Sequence, residues 1–134
     1  LFTNEDLKLL PLICYEIIFP EIVKENKLSN LIINISQDAW FGDSIGPYQH
    51  FSKAIFRAIE NNSFLVRSAN KGITAIIDNK GVVKKTLQPF EKGSIEFGVP
   101  LINIKKFNKK IDLIFLIILF TGVLVLSIYK KNEK

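Results

Sequence analysis

The feature that constrains the fold most is a run of seventeen residues without a charge, from Leu113 to Tyr129. As an α-helix this run would be about 25 Å long, at the lower edge of the length that crosses a bilayer. A helix buried in a protein core normally keeps a polar stripe, and this run has none. We therefore predict a C-terminal transmembrane helix over about 113–129, with a buried core helix as the alternative.

Lysines flank both ends of this run, four before it and three after it, at Lys105, Lys106, Lys109, Lys110, Lys130, Lys131 and Lys134. Because the two sides nearly balance, the positive-inside rule assigns no orientation. Lysines at helix ends anchor to lipid headgroups, and they supply much of the formal net charge of +5. This pattern predicts contact with a membrane and no nucleic acid partner.

The residues before the run have the alternation of a mixed α/β domain. Two stretches predict helices, Ile17–Lys24 with Pro20 in its first turn and the amphipathic Tyr48–Asn61. A loop is predicted at Ser36–Pro47, directly before the second helix. Apolar runs predict strands at Leu12–Cys14, Leu31–Ile35, Phe64–Ser68, Ile73–Ile77, Val82–Thr86 and Ser94–Val99, with a hairpin turn at 78–81. We divide the chain into an α/β domain, 1–104, and a membrane segment with its tail, 105–134.

The sequence starts at Leu1 and contains one cysteine and no methionine. Translation begins with methionine, and no signal-peptide pattern precedes Leu1, so we expect the C-terminal part of a larger protein. One cysteine excludes an intramolecular disulfide and a cysteine-based metal cluster. With one histidine and no glycine-rich phosphate loop, the chain predicts no metal and no cofactor.

Cys14 is the candidate nucleophile, because it ends a predicted strand and precedes a helical stretch. Such a turn can expose a side chain beside backbone N–H groups that bind an oxyanion. The alternative is a small buried apolar residue, which is the usual environment of a lone cysteine. Glu16 lies two residues further on and is either part of the site or an exposed charge at a helix start.

The loop 37–43, Gln-Asp-Ala-Trp-Phe-Gly-Asp, places adjacent large aromatics, Trp40 and Phe41, between two aspartates. Such aromatics pack on a loop core, on an acyl chain or on lipid. For His50 a structural or surface role is favoured over a catalytic one. Arg57 and Glu60, three residues apart, predict an ion pair on the helix surface.

Five blocks of sequence resemble, in this order, the C-terminal half of the bacterial apolipoprotein N-acyltransferases, which belong to the nitrilase (carbon–nitrogen hydrolase) superfamily. The blocks are Cys14-Tyr15-Glu16, residues 34–44, 46–50, 57–61 and 67–75. Gln37 departs from the resemblance, since the family commonly has asparagine there. A single membrane helix follows the domain in that family too.

The resemblance implies a nitrilase-like α-β-β-α sandwich, here only its C-terminal half, on the periplasmic side of the bacterial inner membrane. It implies that Cys14 takes an acyl chain from a phospholipid as a thioester. The chain is then passed to the α-amine of a diacylglyceryl-cysteine at the N-terminus of an apolipoprotein. Tyr15 would contribute a backbone N–H to the oxyanion hole, Glu16 would be functionally sensitive, and substrate-binding roles would fall on Asp38, Trp40 and Phe41.

The family's general-base glutamate and its lysine lie upstream of the cysteine strand. Only thirteen residues precede Cys14 here, and Glu5 and Lys8 among them are too close to serve. We therefore expect this chain to be inactive without the upstream half of the enzyme. Two alternatives stay open: a nitrilase-type amidase that hydrolyses small amides, and a non-catalytic, membrane-anchored remnant of a split gene.

Overall fold

The computed structural model describes residues 2–4, 6–26, 28–101 and 109–132. The chain divides into two units, Leu1–Ile104 and Lys105–Lys134. The first unit contains a six-stranded mixed sheet, and the second is helical where it is described.

The strands follow one another across the sheet in chain order. They are β1 (Phe2–Asn4), β2 (Leu7–Ile13), β3 (Leu31–Gln37), β4 (Phe64–Asn70), β5 (Thr74–Ile77) and β6 (Val83–Leu87). The central strands β2, β3 and β4 are parallel, while β1, β5 and β6 join them antiparallel. The connections hold α1 (Pro20–Glu25), α2 (Gly46–Asn61) and the 3-10 turns Cys14–Ile18 and Ala39–Phe41.

One face of the sheet packs against the two helices and forms the core. Leu12, Ile32 and Leu65 project from neighbouring strands toward α2. The helix presents Ala54 and Ala58 to them, both fully buried. These small side chains let the α2 backbone approach the sheet closely. Burial of apolar surface here is the main stabilising term of the unit.

The opposite face of the sheet is only partly covered. Ile13 is 68% exposed and Ile35, its neighbour across the β2–β3 pairing, is 62% exposed. Toward β4 the cover is better, because the Phe97 ring stacks on Phe64 with centroids 6.3 Å apart. An apolar sheet face of this kind is typical of a sheet that packs against a second layer.

The predicted α/β class is confirmed, and so is the β5–β6 hairpin. The strand predicted at Ser94–Val99 is wrong, because residues 91–100 are described and pair with no strand. Gly98 and Pro100 interrupt the run, and Phe97 uses its side chain to cover Phe64 without joining the ladder.

Strand β2 is longer than predicted, because Pro11 lies inside it and does not precede it. In the described residues β1 pairs with β2 only at Leu7–Leu9. Pro11, which has no N–H to donate, therefore lies beyond the part of β2 that bonds to β1. The predicted helix Ile17–Lys24 is divided into the 3-10 turn Cys14–Ile18 and α1, which begins at Pro20.

The second unit is a single helix, α3 (Lys109–Asn132), which includes the predicted apolar run. Over the described part of the chain, no helix combines the length and the apolar character needed to cross a membrane. The transmembrane helix stays a prediction.

We expect Leu65→Ala to lower the free energy of unfolding by about 2 to 5 kcal/mol, because it leaves a cavity in the middle of the core. Leu28→Ala is the matched control: Leu28 is half exposed, and its truncation should cost less than about 1 kcal/mol. Urea unfolding followed by circular dichroism measures both. Equal losses in the two variants would contradict this assignment of the core.

Candidate active site

The candidate site lies at the carboxyl ends of the parallel strands, where α/β proteins commonly bind ligands. Cys14 directly follows β2, and Ser36 lies near the end of β3. Asp38 follows β3, while Arg67 comes from the middle of β4 and His50 from the first turns of α2. The topology thus brings together residues that are up to 53 positions apart in the chain, from Cys14 to Arg67.

Cys14 has a φ of +49°, in the left-handed region that side chains other than glycine rarely occupy. Its turn is held from two directions. The Glu16 carboxylate accepts a hydrogen bond from the Ile13 N–H at 2.7 Å. The Asn34 amide donates to the carbonyls of Leu12, at 3.1 Å, and Cys14, at 3.3 Å. These contacts fix the half-buried thiol at the end of the strand.

Two oxygen atoms lie near the Cys14 Sγ. The Ser36 Oγ is 3.8 Å away, and the Gln37 carbonyl oxygen is 3.9 Å away. Both distances are within the range of weak hydrogen bonds to sulfur. The thiol therefore meets a hydroxyl, which can donate or accept, and a carbonyl, which can only accept.

Behind Ser36 is a buried polar network centred on Asp38, which is 1% exposed. One carboxylate oxygen, Oδ1, accepts the Ser36 hydroxyl at 2.6 Å and contacts His50 Nδ1 at 2.9 Å. The other, Oδ2, accepts from Arg67 Nη2 at 2.7 Å. Arg67 is also 1% exposed, and its Nη1 donates to the Asn34 side chain. The network thus connects β3, β4, α2 and the turn of Cys14.

The electrostatics of this network keep Asp38 ionised. Burial by itself raises the pKa of Asp38, but the hydrogen bonds from His50 and Ser36 and the charge of Arg67 outweigh it and lower the pKa to about 2. Burial lowers the pKa of Arg67, and the Asp38 carboxylate opposes that effect. An ionised Asp38 only accepts hydrogen bonds, so the 2.9 Å contact to His50 is a hydrogen bond when Nδ1 carries the proton; Arg67 Nη2, which only donates, also lies 3.2 Å from this nitrogen.

Three of the predicted site residues, Cys14, Tyr15 and Glu16, form one turn. The Tyr15 ring is half exposed and lies against His50, with centroids 5.4 Å apart. The Phe41 ring is also close to His50, with centroids 5.8 Å apart. The assignments of Cys14, Tyr15 and Glu16 to catalysis stay predictions.

The predicted substrate-binding residues have different environments. Trp40 is 81% exposed, which leaves its ring free to contact a substrate or a lipid surface. Asp38 is enclosed, and both of its oxygens bind protein groups. Its geometry favours a structural role over the substrate contact that we predicted.

The sequence analysis missed Ser36, Asn34 and Arg67 and gave His50 no partner. One signal was available: alternation along β3 places Asn34 and Ser36 on the same face as the buried Ile32. The predicted Arg57–Glu60 ion pair is present at 3.0 Å, but Arg57 is buried and does not lie on the surface.

Comparison with known proteins assigns the family, since residues 1–108 match the carbon–nitrogen hydrolase family. The chain belongs to the carbon–nitrogen hydrolases. Its fold resembles the amidase of Nesterenkonia sp. AN1, a nitrilase-superfamily enzyme, with a TM-score of 0.53 and 19% identity over 66% of this chain and 36% of the amidase chain. A second structure of that amidase, with the same TM-score and 20% identity over 66% and 38% of the two chains, shows the result of Michael addition of acrylamide at its active site cysteine.

Within this family the chain is similar to apolipoprotein N-acyltransferases, which confirms the resemblance. It is 56% identical to the enzyme of Allorhizobium ampelinum over 78 residues, which are 58% of this chain and 15% of that enzyme. It is 38% identical to the enzyme of Shewanella oneidensis over 129 residues, 95% of this chain and 25% of that enzyme. The enzyme of Rickettsia bellii is 50% identical over 96 residues, 71% of this chain and 19% of that enzyme. The chain therefore spans 15% to 25% of the length of these relatives.

The low pKa of Asp38 predicts acid sensitivity. Because the folded value of about 2 is below the ordinary value of 3.8, ionised Asp38 stabilises the folded state above about pH 4, and that stability is lost as the pH falls toward 2. The shift corresponds to about 2 kcal/mol. Urea unfolding at several pH values measures it.

In Asp38→Asn this pH-dependent component should be absent, whereas in the exposed control Asp43→Asn it should remain. An Asp38→Asn protein that loses stability in acid as steeply as the wild type would contradict the assignment.

Gly72 packs directly against Asp38, and we expect Gly72→Ala to disturb the network. A Cβ at this position would lie 2.2 Å from Asp38 Oδ2, so the carboxylate must move away from Arg67. We expect a loss of about 1 to 3 kcal/mol in unfolding free energy. Gly98→Ala is the control, because a Cβ there has no atom within 4 Å. A neutral Gly72→Ala would show that the network tolerates displacement.

Proposed function

We propose that this chain carries the nucleophile half of an N-acyltransferase that matures lipoproteins. The single observation that carries the proposal is Cys14 itself, a cysteine in a left-handed turn at the carboxyl end of a parallel strand. The names of the relatives and the nitrilase-like fold support acyl transfer as the reaction class.

In the proposed reaction the Cys14 thiolate attacks the carbonyl carbon of a phospholipid ester. The C–O bond to the glycerol breaks, a thioester forms, and a lysophospholipid leaves with the proton taken from the thiol. The free α-amine of a diacylglyceryl-cysteine then attacks the thioester. An amide forms, the C–S bond breaks, and the proton that the amine loses passes to the leaving sulfur, which restores the thiol. In both steps negative charge develops on the carbonyl oxygen, and we assign the Tyr15 backbone N–H to its stabilisation.

Neither carboxylate close to Cys14 is suited to deprotonate it. Glu16 is engaged with the Ile13 N–H, and Asp38, with a pKa of about 2, is too weak a base. We therefore propose that the general base, and a cation for the oxyanion, come from the upstream half of the enzyme. The apolar face with Ile13 and Ile35 is suited to pack against the second sheet of an α-β-β-α sandwich.

We assign the lipid contacts to Trp40, whose indole is exposed, and to Phe41, whose ring lies 5.8 Å from that of His50. The apolar α3 is proposed to hold the domain at the bacterial inner membrane, with the catalytic domain on the periplasmic side. The acyl donor would then be a phospholipid of that membrane, and the acceptor a diacylglyceryl apolipoprotein.

A second candidate is hydrolysis of small amides, which the shared fold with the Nesterenkonia amidase favours. The two reactions differ in what they release. An amidase releases ammonia from amides, whereas the proposed transferase consumes phospholipid and yields an acylated amine.

We expect Cys14 to become acylated when the chain is combined with the upstream half of the enzyme and phospholipid vesicles. A thioester is cleaved by neutral hydroxylamine, so the adduct should disappear on that treatment. Mass spectrometry of the peptide that contains Cys14 measures it. Cys14→Ala should abolish the adduct and the acylation of a diacylglyceryl peptide.

The chain without the upstream half should give an adduct about 100-fold more slowly or not at all, because it lacks the positioned base. Trp40→Ala keeps the thiol, so it should still form the hydroxylamine-sensitive adduct, but more slowly because the lipid contact is lost. Full acylation of the acceptor by the Cys14→Ala enzyme would overturn the proposed function.

A further inference from the structure

The Cys14 sulfur has two polar neighbours that differ in what they can donate. The Gln37 carbonyl can accept a hydrogen bond from the thiol, but it has no proton to give. The Ser36 hydroxyl, at 3.8 Å, carries one proton and two lone pairs. In the described part of the chain, Ser36 is therefore the side chain beside the sulfur that can serve both the thiol and the thiolate.

The proton of Ser36 has two possible acceptors, and their distances decide between them. Asp38 Oδ1 is 2.6 Å from the Ser36 Oγ, whereas the sulfur is 3.8 Å away. While Cys14 is a thiol, the hydroxyl proton therefore lies toward Asp38, because a bond to a carboxylate is the stronger one. A lone pair of the Ser36 oxygen then faces the thiol.

We propose that Ser36 is a positioning residue that exchanges its hydrogen bond from Asp38 to the Cys14 sulfur when the thiol loses its proton. The proton of the thiol leaves to a base or to water, and the Ser36 O–H rotates to donate to the thiolate. No covalent bond other than S–H is broken. The inference rests on the proposed role of Cys14 as nucleophile.

The buried network keeps the free-energy cost of this exchange small. Asp38 keeps two other partners, Arg67 at 2.7 Å and His50 at 2.9 Å, when Ser36 turns away. The Asp38 carboxylate is therefore hydrogen-bonded to Arg67 and His50 whether Ser36 bonds to Asp38 or to the sulfur. Ser36 is itself buried, so no water replaces its hydroxyl beside the sulfur at low cost.

Several charged and titratable groups face the thiol and its network, and all must be weighed in a pH experiment. The described ones come from the thiol's own turn, the loop after β3, α2 and β4: Tyr15, Glu16, Asp38, His50, Lys53 and Arg67. Ser36→Ala removes one of the hydrogen bonds that lower the pKa of Asp38, but His50 and Arg67 still bind that carboxylate, so Asp38 stays ionised at neutral pH.

The test is the pH profile of Cys14 alkylation by iodoacetamide in the detergent-solubilised protein. Cys14 is the single cysteine, so the reaction reports on it alone. We expect Ser36→Ala to slow alkylation about fivefold at neutral pH, since the thiolate loses a donor. At high pH the variant should react faster than the wild type, because its less stabilised thiolate is the better nucleophile. The two profiles should therefore cross.

Ser36→Thr keeps the hydroxyl and should follow the wild-type profile. Ser68→Ala is the matched control, because Ser68 is an exposed serine on the neighbouring strand β4. Ser36→Gly replaces Ser36→Ala if the latter does not fold, as judged by circular dichroism. Unchanged alkylation in the folded variant, or slowing by one factor at every pH, would overturn the proposal. Unfolding of both variants would also overturn it, because Ser36 would then be a structural residue.

The experiment separates this inference from the proposed function. Crossing profiles would support the role of Ser36 even if Cys14→Ala enzyme still acylated lipoproteins, in which case only the assignment of the nucleophile to acyl transfer would fail. Conversely, a hydroxylamine-sensitive adduct on Cys14 together with unchanged alkylation in Ser36→Ala would leave the proposed function intact and remove Ser36 from it.

Discussion

The buried ion pair between Arg67 and Asp38 is the interaction on which the geometry of the site depends. Both side chains are completely enclosed, and burying two charges costs several kcal/mol each unless their other hydrogen bonds are also made. Ser36 and His50 bond to the carboxylate and Asn34 bonds to the guanidinium, while Arg67 Nε has no partner among the described residues. Because the partners come from β3, β4 and α2, satisfying the charges also fixes how these elements meet beside Cys14. A substrate-binding site built on such a network would be rigid before substrate arrives.

Much of the fold could be predicted from the sequence because its elements have clear local patterns. The β-branched run at Leu31–Ile35 and the spacing of apolar residues in α2 indicated their structures without tertiary information. The errors arose where tertiary context decides. Ser94–Val99 alternates like a strand but pairs with no strand in the described part of the chain. Pro11 is accepted inside β2 because the described part of β1 ends its pairing at Leu9.

The site was predicted only in part. The place of Cys14 at a strand end left two interpretations open, a nucleophile or a small buried apolar residue, and the resemblance favoured the nucleophile. The partners of Asp38 could not be found in the same way. Arg67 lies 29 residues further along the chain, and whether an arginine is buried depends on which side chains meet it after folding. These contacts are made only in the folded protein, so a local sequence pattern does not indicate them.

The strand order also has a consequence for how the domain is made. Every strand lies beside the one synthesised just before it, so each new strand finds its neighbour already outside the ribosome. The sheet can then grow by accretion at one edge, with no need to hold a place open for a distant segment. Because Arg67 belongs to β4, the ion pair with Asp38 can form only after that strand has been synthesised. Docking of β4 is thus the step at which the carboxyl ends of β2, β3 and β4 reach their final arrangement.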